Sequence, residues 1–184
     1  MKSLPDISKE EIIELENSCW MTHDGMWFFV CLSNFGIEQA NKLNKAAIKG
    51  LAPFEVGRTK KVIGLTKDKV ESFQKLKDYF AIAQKLFIPD FMNGTVCFPR
   101  ENVMSWEFAP GQCFAYKGIK RIGAIDQYEC GVMYRIECWL ESLGVKYKMT
   151  PQVEKCLMHT TGKCSGEIEL FFPWPGAVRY KRLF

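Results

Sequence analysis

The chain has 184 residues, 47% of them apolar, and 25 Lys and Arg against 21 Asp and Glu give a formal charge of +4. That length and apolar content build one compact domain, or two small ones sharing a core. The basic residues fall in short groups among acids (Lys60-Lys61, Lys117 with Lys120-Arg121, Arg179 with Lys181-Arg182), not in the continuous basic face of a nucleic-acid binder, so no nucleic acid is expected as a partner.

Near the N-terminus, Ser8-Lys9-Glu10-Glu11 has the form of a capping box, so a helix should start at Lys9. Ile12, Leu15, Cys19, Met26 and Val30 recur at helical spacing and mark its inward face, and His23 fills the gap in that series and so points inward. The charged stretch 5–16 is unlike a secretory apolar segment. The longest apolar run, 26–32, falls far short of the ~20 residues that span a bilayer. A cytoplasmic protein without membrane contact is the expectation. A second helix is expected over 37–49, closed by Gly50, and a third over 53–63, with Pro53 at its first position and Gly64 past its end. Thr66 should cap a fourth that runs to Phe87 and stops before Pro89. Short connections make residues 1–90 a packed four-helix region.

From residue 91 the pattern changes. Strands are expected over 95–98 and 103–108, joined by a turn at 99–102. A short helix fits 112–122. A longer one, capped by Asp126 and closed by Gly144, carries the apolar stripe Val132, Ile136, Trp139, Leu140 and Leu143. Further strands are expected over 145–149, 156–159 and 165–172. In the last, Ile168, Leu170 and Phe172 alternate with Glu167, Glu169 and Phe171, as in a sheet with one solvated face. The tail 173–176 is expected to be extended and packed by Trp174. The fold class is thus α+β: an N-terminal four-helix region packed on a small C-terminal antiparallel sheet with one or two helices, with 1–90 and 91–184 sharing one core.

Four of the eight cysteines and one of the two histidines lie between Cys130 and Cys164. In a reducing compartment they are thiols or metal ligands before they are disulfides. Cys156, His159 and Cys164, in the spacing C-x2-H-x4-C, supply three ligands for zinc or iron, with Cys130 or Cys113 as a fourth. The alternative is buried thiols, with His159 bonded to backbone. A catalytic arrangement would use Cys130 or Cys156 as nucleophile and His159 as base. Cys130 stands out because a helix N-terminus lowers a thiol pKa. A second polar group, His23, Asp24, Glu55 and Arg58, sits on helices whose faces should meet, either around a ligand or as an ion pair to Arg58. Trp20, Trp27 and Tyr128 are among the aromatic residues suited to lining a pocket between the helical and sheet regions, or to filling the core.

Two stretches resemble known families. The segment Trp20-Met21-Thr22-His23-Asp24-Gly25-Met26-Trp27-Phe28, followed by Phe35-Gly36 and then Glu55 with Arg58, resembles the signature of an uncharacterised prokaryotic cytosolic family: a Trp, an Asp-Gly-x-Trp-Phe, a Phe-Gly and a later Glu and Arg. The C-terminal part, with Tyr128-Glu129-Cys130-Gly131, Arg135, Gly144, Cys156 and Gly162-Lys163-Cys164, is similar to L-2-amino-thiazoline-4-carboxylate hydrolase-like proteins. More loosely it resembles the 4-vinyl reductase ligand-binding domain. The resemblance implies an α+β fold with a ligand cavity and hydrolysis of a small cyclic C–N bond. Where those hydrolases carry an Asp soon after the cysteine matching Cys156, this chain has Leu157-Met158-His159, so no catalytic role is carried over. Three readings follow: a cytosolic binder of a small molecule in an aromatic- and cysteine-lined pocket, a small hydrolase using a cysteine or a metal, and a structural or redox metal protein. A small-molecule ligand is the expected partner, and a homodimer is a compatible assembly.

Overall fold

The computed structural model describes residues 3–67 and 69–172. The tail segment 173–176 lies outside them. The first helix, α1 (Lys9–Val62), starts where the capping box places it: Ser8 Oγ accepts from the Glu11 amide at 3.1 Å, and Glu11 Oε2 accepts from the Ser8 amide at 2.9 Å. It then runs on as a single helical element, broken only at Gly36 (φ 77°, ψ 172°). Only glycine adopts that conformation without strain. The start expected at Ile37 is therefore real, but the end expected at Gly50 and the new start expected at Pro53 are not, and the first three expected helices are two arms of α1. Buried Ala52, Glu55, Val56 and Thr59 hold the second arm together through Pro53. Their packing against helix α4 (Gly131–Ser142) offsets the one backbone hydrogen bond that Pro53 cannot donate.

The inward face of the first arm also differs from the expected one. Ile12, Leu15, Met26 and Val30 are exposed, as is His23, whereas Asn17, Met21, Phe28 and Cys31 are buried. Asn17 explains the shift. Its amide donates to the Leu86 carbonyl at 2.8 Å, satisfying the end of helix α2 (Phe73–Phe87), so a polar residue holds an inner position that an apolar pattern cannot reveal. Helix α2 begins after Ser72 rather than Thr66, because the Val70 amide is committed to the Leu143 carbonyl at 2.9 Å.

The sheet comprises β1 (Gly94–Arg100), β2 (Val103–Phe108), β3 (Lys146–Thr150) and β4 (Cys164–Phe171), antiparallel throughout in the order β1-β2-β4-β3. Alternation along the strands works as expected. Met104 faces Ile168 and Trp106 faces Gly166 on the buried side, while Arg100 and Glu167 pair at 2.7 Å on the outer side. Gly166 is required here, since a Cβ would stand 2.3 Å from the Trp106 ring and 2.6 Å from the Thr150 carbonyl.

Helix α3 (Phe114–Arg121) matches the helix expected over 112–122. Helix α4 starts at Cys130 instead of Asp126, because the Cys130 amide is tied to the Glu154 carbonyl at 2.9 Å and Glu129 bridges Lys155. Where a strand was expected over 156–159, the short helix α5 (Leu157–Thr160) forms, with Cys156 at its N-cap. The core joins both halves of the chain: Phe80 and Leu76 of α2, Trp139 and Leu140 of α4, and Met104 and Ile168 of the sheet are almost wholly buried. The α+β class stands, with two α-helices rather than four described before the sheet.

Candidate functional site

The most enclosed ionic contact among the described residues joins α1 to α4. Arg135 Nε donates to Glu55 Oε2 at 3.0 Å, its Nη2 donates to Glu55 Oε1, and Trp139 Nε1 donates to Glu55 Oε2 at 2.7 Å. The two charged side chains are only 15% and 8% exposed. Around the guanidinium stand the rings of Trp20, Trp139 and Phe87, with centroids at 4.5, 4.9 and 5.3 Å. A bidentate pair with a third donor on the carboxylate is saturated. It fixes the two helices and leaves neither charge seeking a partner.

Beside this pair a cleft opens between α1, α3, α4 and the sheet. Its inner chamber, about 160 Å³, is walled by Trp20, Met21, Met92, Trp106, Phe114 and Ile136, with Glu55 and Arg135 at its edge. An outer chamber of about 500 Å³ reaches solvent past Lys117 and Arg121. The chambers share Asp24, Asn44, Phe114, Ala115 and Tyr128, so they adjoin at a waist made of these residues. Asp24 remains accessible to solvent, yet the cleft removes enough water from its carboxyl to raise its pKa, against the opposing pull of Arg135 and His23. Tyr128 is buried, its phenol pushed well above the ordinary value by loss of water. Its hydroxyl accepts from the Gly131 amide at 3.0 Å, which sets the first turn of α4 against the cleft.

Of the residues singled out in the sequence for ligand binding, the structure gathers Trp20, Asp24, Glu55 and Tyr128 at this cleft. His23, Trp27 and Arg58 are exposed and line neither chamber. The ion pair expected between Glu55 and Arg58 is replaced by Glu55 with Arg135. The signal for Arg135 is present in the sequence: with Val132, Ile136 and Trp139 it falls at i+3, i+4 and i+7 on one face of α4, a charge embedded in an apolar stripe. Asn44 and Phe114 carry no comparable signal.

The sequence of residues 4–90 matches the model of a family of unknown function (DUF6125). No curated protein and no solved structure matches the chain. The match supports the likeness of the N-terminal part to an uncharacterised family. It covers the DUF6125 segment that supplies Trp20, Asp24 and Glu55, whereas Arg135, Tyr128 and the clustered thiols lie beyond it. The resemblance of that C-terminal part to thiazoline carboxylate hydrolase-like proteins finds no counterpart in these comparisons.

Behind the cleft, Cys113, Cys130, Cys156 and Cys164 line one small enclosed void of about 10 Å³, together with Met133 and Met158. All four are free thiols. Burial raises the pKa of each, to about 12 at Cys130 and about 11 at Cys164. This reverses the expectation for Cys130: the Met133 amide does pull the value down, as a helix N-terminus should, but loss of water outweighs it. His159 does not join the thiols. It is exposed, and its Nε2 lies 2.7 Å from Asp126 Oδ1. Neither a Cys130–His159 nor a Cys156–His159 pair is assembled. Among the described residues no three His, Cys, Asp or Glu side chains stand together at metal-binding spacing, so the set Cys156, His159 and Cys164 is not brought together either.

Proposed function

We propose that the protein is a small-molecule-binding protein whose ligand occupies the two-chamber cleft. The observation that carries this is the pair of adjoining chambers that meet at Asp24, Asn44 and Tyr128. An apolar, largely preformed cavity with a few convergent polar groups is the usual form of such a site, at about 300–1,000 Å³. The reading needs no catalytic group. That suits thiols held protonated by burial and a histidine engaged elsewhere, which also argue against hydrolysis by a cysteine nucleophile. The test is a thermal-shift and calorimetric screen of small aromatic and aliphatic compounds on the whole chain. It is repeated on Ala115→Trp, which fills the waist. Saturable binding lost in Ala115→Trp supports the proposal; binding unaffected by that change, or no binding by any compound, overturns it.

A second reading concerns the four thiols. Cys113, Cys130, Cys156 and Cys164 come from four separate stretches of chain and meet at one void. The four are not at metal-binding spacing in the described structure, so a structural zinc there would have to draw the thiolates inward, releasing protons and cross-linking α4 to β4. It departs from the spacing motif by using Cys113 and Cys130 in place of His159. Elemental analysis of anaerobically purified protein tests it, together with melting before and after chelation. About one zinc per chain and a lower melting temperature after chelation support it. Metal-free protein with an unchanged melt contradicts it.

A further inference from the structure

At the inner chamber, three carboxylate or guanidinium groups meet a mainly apolar wall, and two of them, Glu55 and Arg135, saturate each other. Asp24 is the third, and no hydrogen bond or ion pair joins it to another described residue. Its position is open to solvent, so water serves the carboxylate in the free protein and a cationic donor on a ligand would take that water's place. Aromatic rings frame it. Trp20 and Phe28 lie one turn before and one turn after it on α1, where residues four apart are neighbours. Phe114 of α3 approaches to within 3.8 Å of where a Cβ on Gly25 would stand. Tyr128 packs edge-on against Phe28 with centroids 5.6 Å apart.

Resting on the reading of the cleft as a ligand site, we propose that its ligand is a small aromatic ammonium compound, with its cationic nitrogen on Asp24 and its ring in the inner chamber. The carboxylate supplies the counter-charge, and the surrounding rings present their negative faces to the cation. Lys117 and Arg121 stand at the wall of the outer chamber on exposed positions, with Lys117 Nζ held by Gln112 Oε1 at 2.6 Å. Salt screens such exposed charges over roughly 8–10 Å. They favour the opposite choice, an anionic ligand, and that choice is one outcome of the test.

Three probes of similar shape separate the possibilities by isothermal calorimetry on the whole chain: 2-phenylethylamine, 2-phenylethanol and 3-phenylpropanoate. The amine should bind at least about tenfold more tightly than the alcohol, and the acid more weakly than either. In Asp24→Asn the preference for the amine over the alcohol should be lost, the ratio of the two affinities falling to about one. Added salt should weaken amine binding to the wild-type chain while leaving the alcohol unaffected, a readout that needs no variant. Equal affinities, a preference for the acid, or an amine preference that survives Asp24→Asn overturns the ammonium assignment while leaving the cleft as a binding site. No binding by any of the three overturns the cleft reading for this class of ligand, and this inference with it.

Discussion

Removing Arg135 strikes the buried ionic contact that, among the described residues, joins the segment matched by the family model to the C-terminal part. Glu55 accepts three hydrogen bonds, two from Arg135 and one from Trp139. Arg135→Ala deletes two of them and leaves a carboxylate only 8% exposed with no counter-charge. Breaking a buried pair this way costs about 3–5 kcal/mol. For a chain of this size each kcal/mol moves the melting midpoint by about 2–4 °C, so a drop of roughly 6–20 °C is expected. Glu55→Leu should cost a similar amount, because it strands the guanidinium among Trp20, Phe87 and Trp139. The double variant Glu55→Leu/Arg135→Met removes both charges together and orphans only the Trp139 N–H, at about 1–3 kcal/mol. It should therefore be more stable than either single variant. Urea unfolding followed by tryptophan fluorescence measures all three, with the slope m serving as a check that the transition remains two-state. A double variant as unstable as the sum of the singles, or Arg135→Ala within about 1 kcal/mol of wild type, would refute the account of this pair.

Other consequences are open to simpler assays. With Cys19 and Cys97 exposed and six thiols buried, an aromatic disulfide reagent at pH 8 should titrate two thiols quickly in native protein and eight after unfolding; a fast-reacting third thiol that disappears in Cys130→Ala would contradict the burial that raises its pKa to about 12. Gly166→Ala should lower stability by about 1–3 kcal/mol or more, since its Cβ would meet the Trp106 ring at 2.3 Å and backbone at 2.6 Å, and a neutral effect in urea melts would show that the β2–β4 pairing is looser than described. Asp24 has a folded pKa above its ordinary value of 3.8, so the native state holds its proton longer than the unfolded chain. The stability associated with that proton is complete below pH 3.8 and is lost as pH rises through the folded value. Asp24→Asn should thus be more stable than wild type at pH 7 and indistinguishable from it at pH 3.5; a variant less stable at pH 7 would show that Asp24 gains more from Arg135 than it loses by desolvation.

What the sequence made legible was local. The capping box at Ser8, the helix start after Gly36 and the alternation along β4 depend on residues a few positions apart, and each has the expected form. The break expected between Gly50 and Pro53 failed because packing against α4 outweighed two unfavourable residues, a balance set by residues some 80 positions away. Trp20 and Trp27 share a helix face by spacing, yet one lines the cleft and the other is 55% exposed. Periodicity gives the angle around an axis and says nothing of where along it the core lies. The thiol cluster shows the same limit. Cys156 and Cys164 were legible as neighbours, but α5 turns the His159 side chain out toward Asp126, and the tertiary fold brings in Cys113 and Cys130 from distant turns.

The claim that the cleft holds a ligand is tested most directly by a methyl-NMR titration of methionine-labelled protein with 2-phenylethylamine and 2-phenylethanol. Met21, Met92 and Met133 line the inner chamber, whereas Met104 and Met149 lie in the core and Met158 lies by the thiols. Saturable shifts at the first three, with Met26 of the outer chamber as the other methionine free to respond, and absent in Ala115→Trp, are the predicted result. Shifts that spare Met21 and Met92, or that do not saturate with either compound, would contradict it.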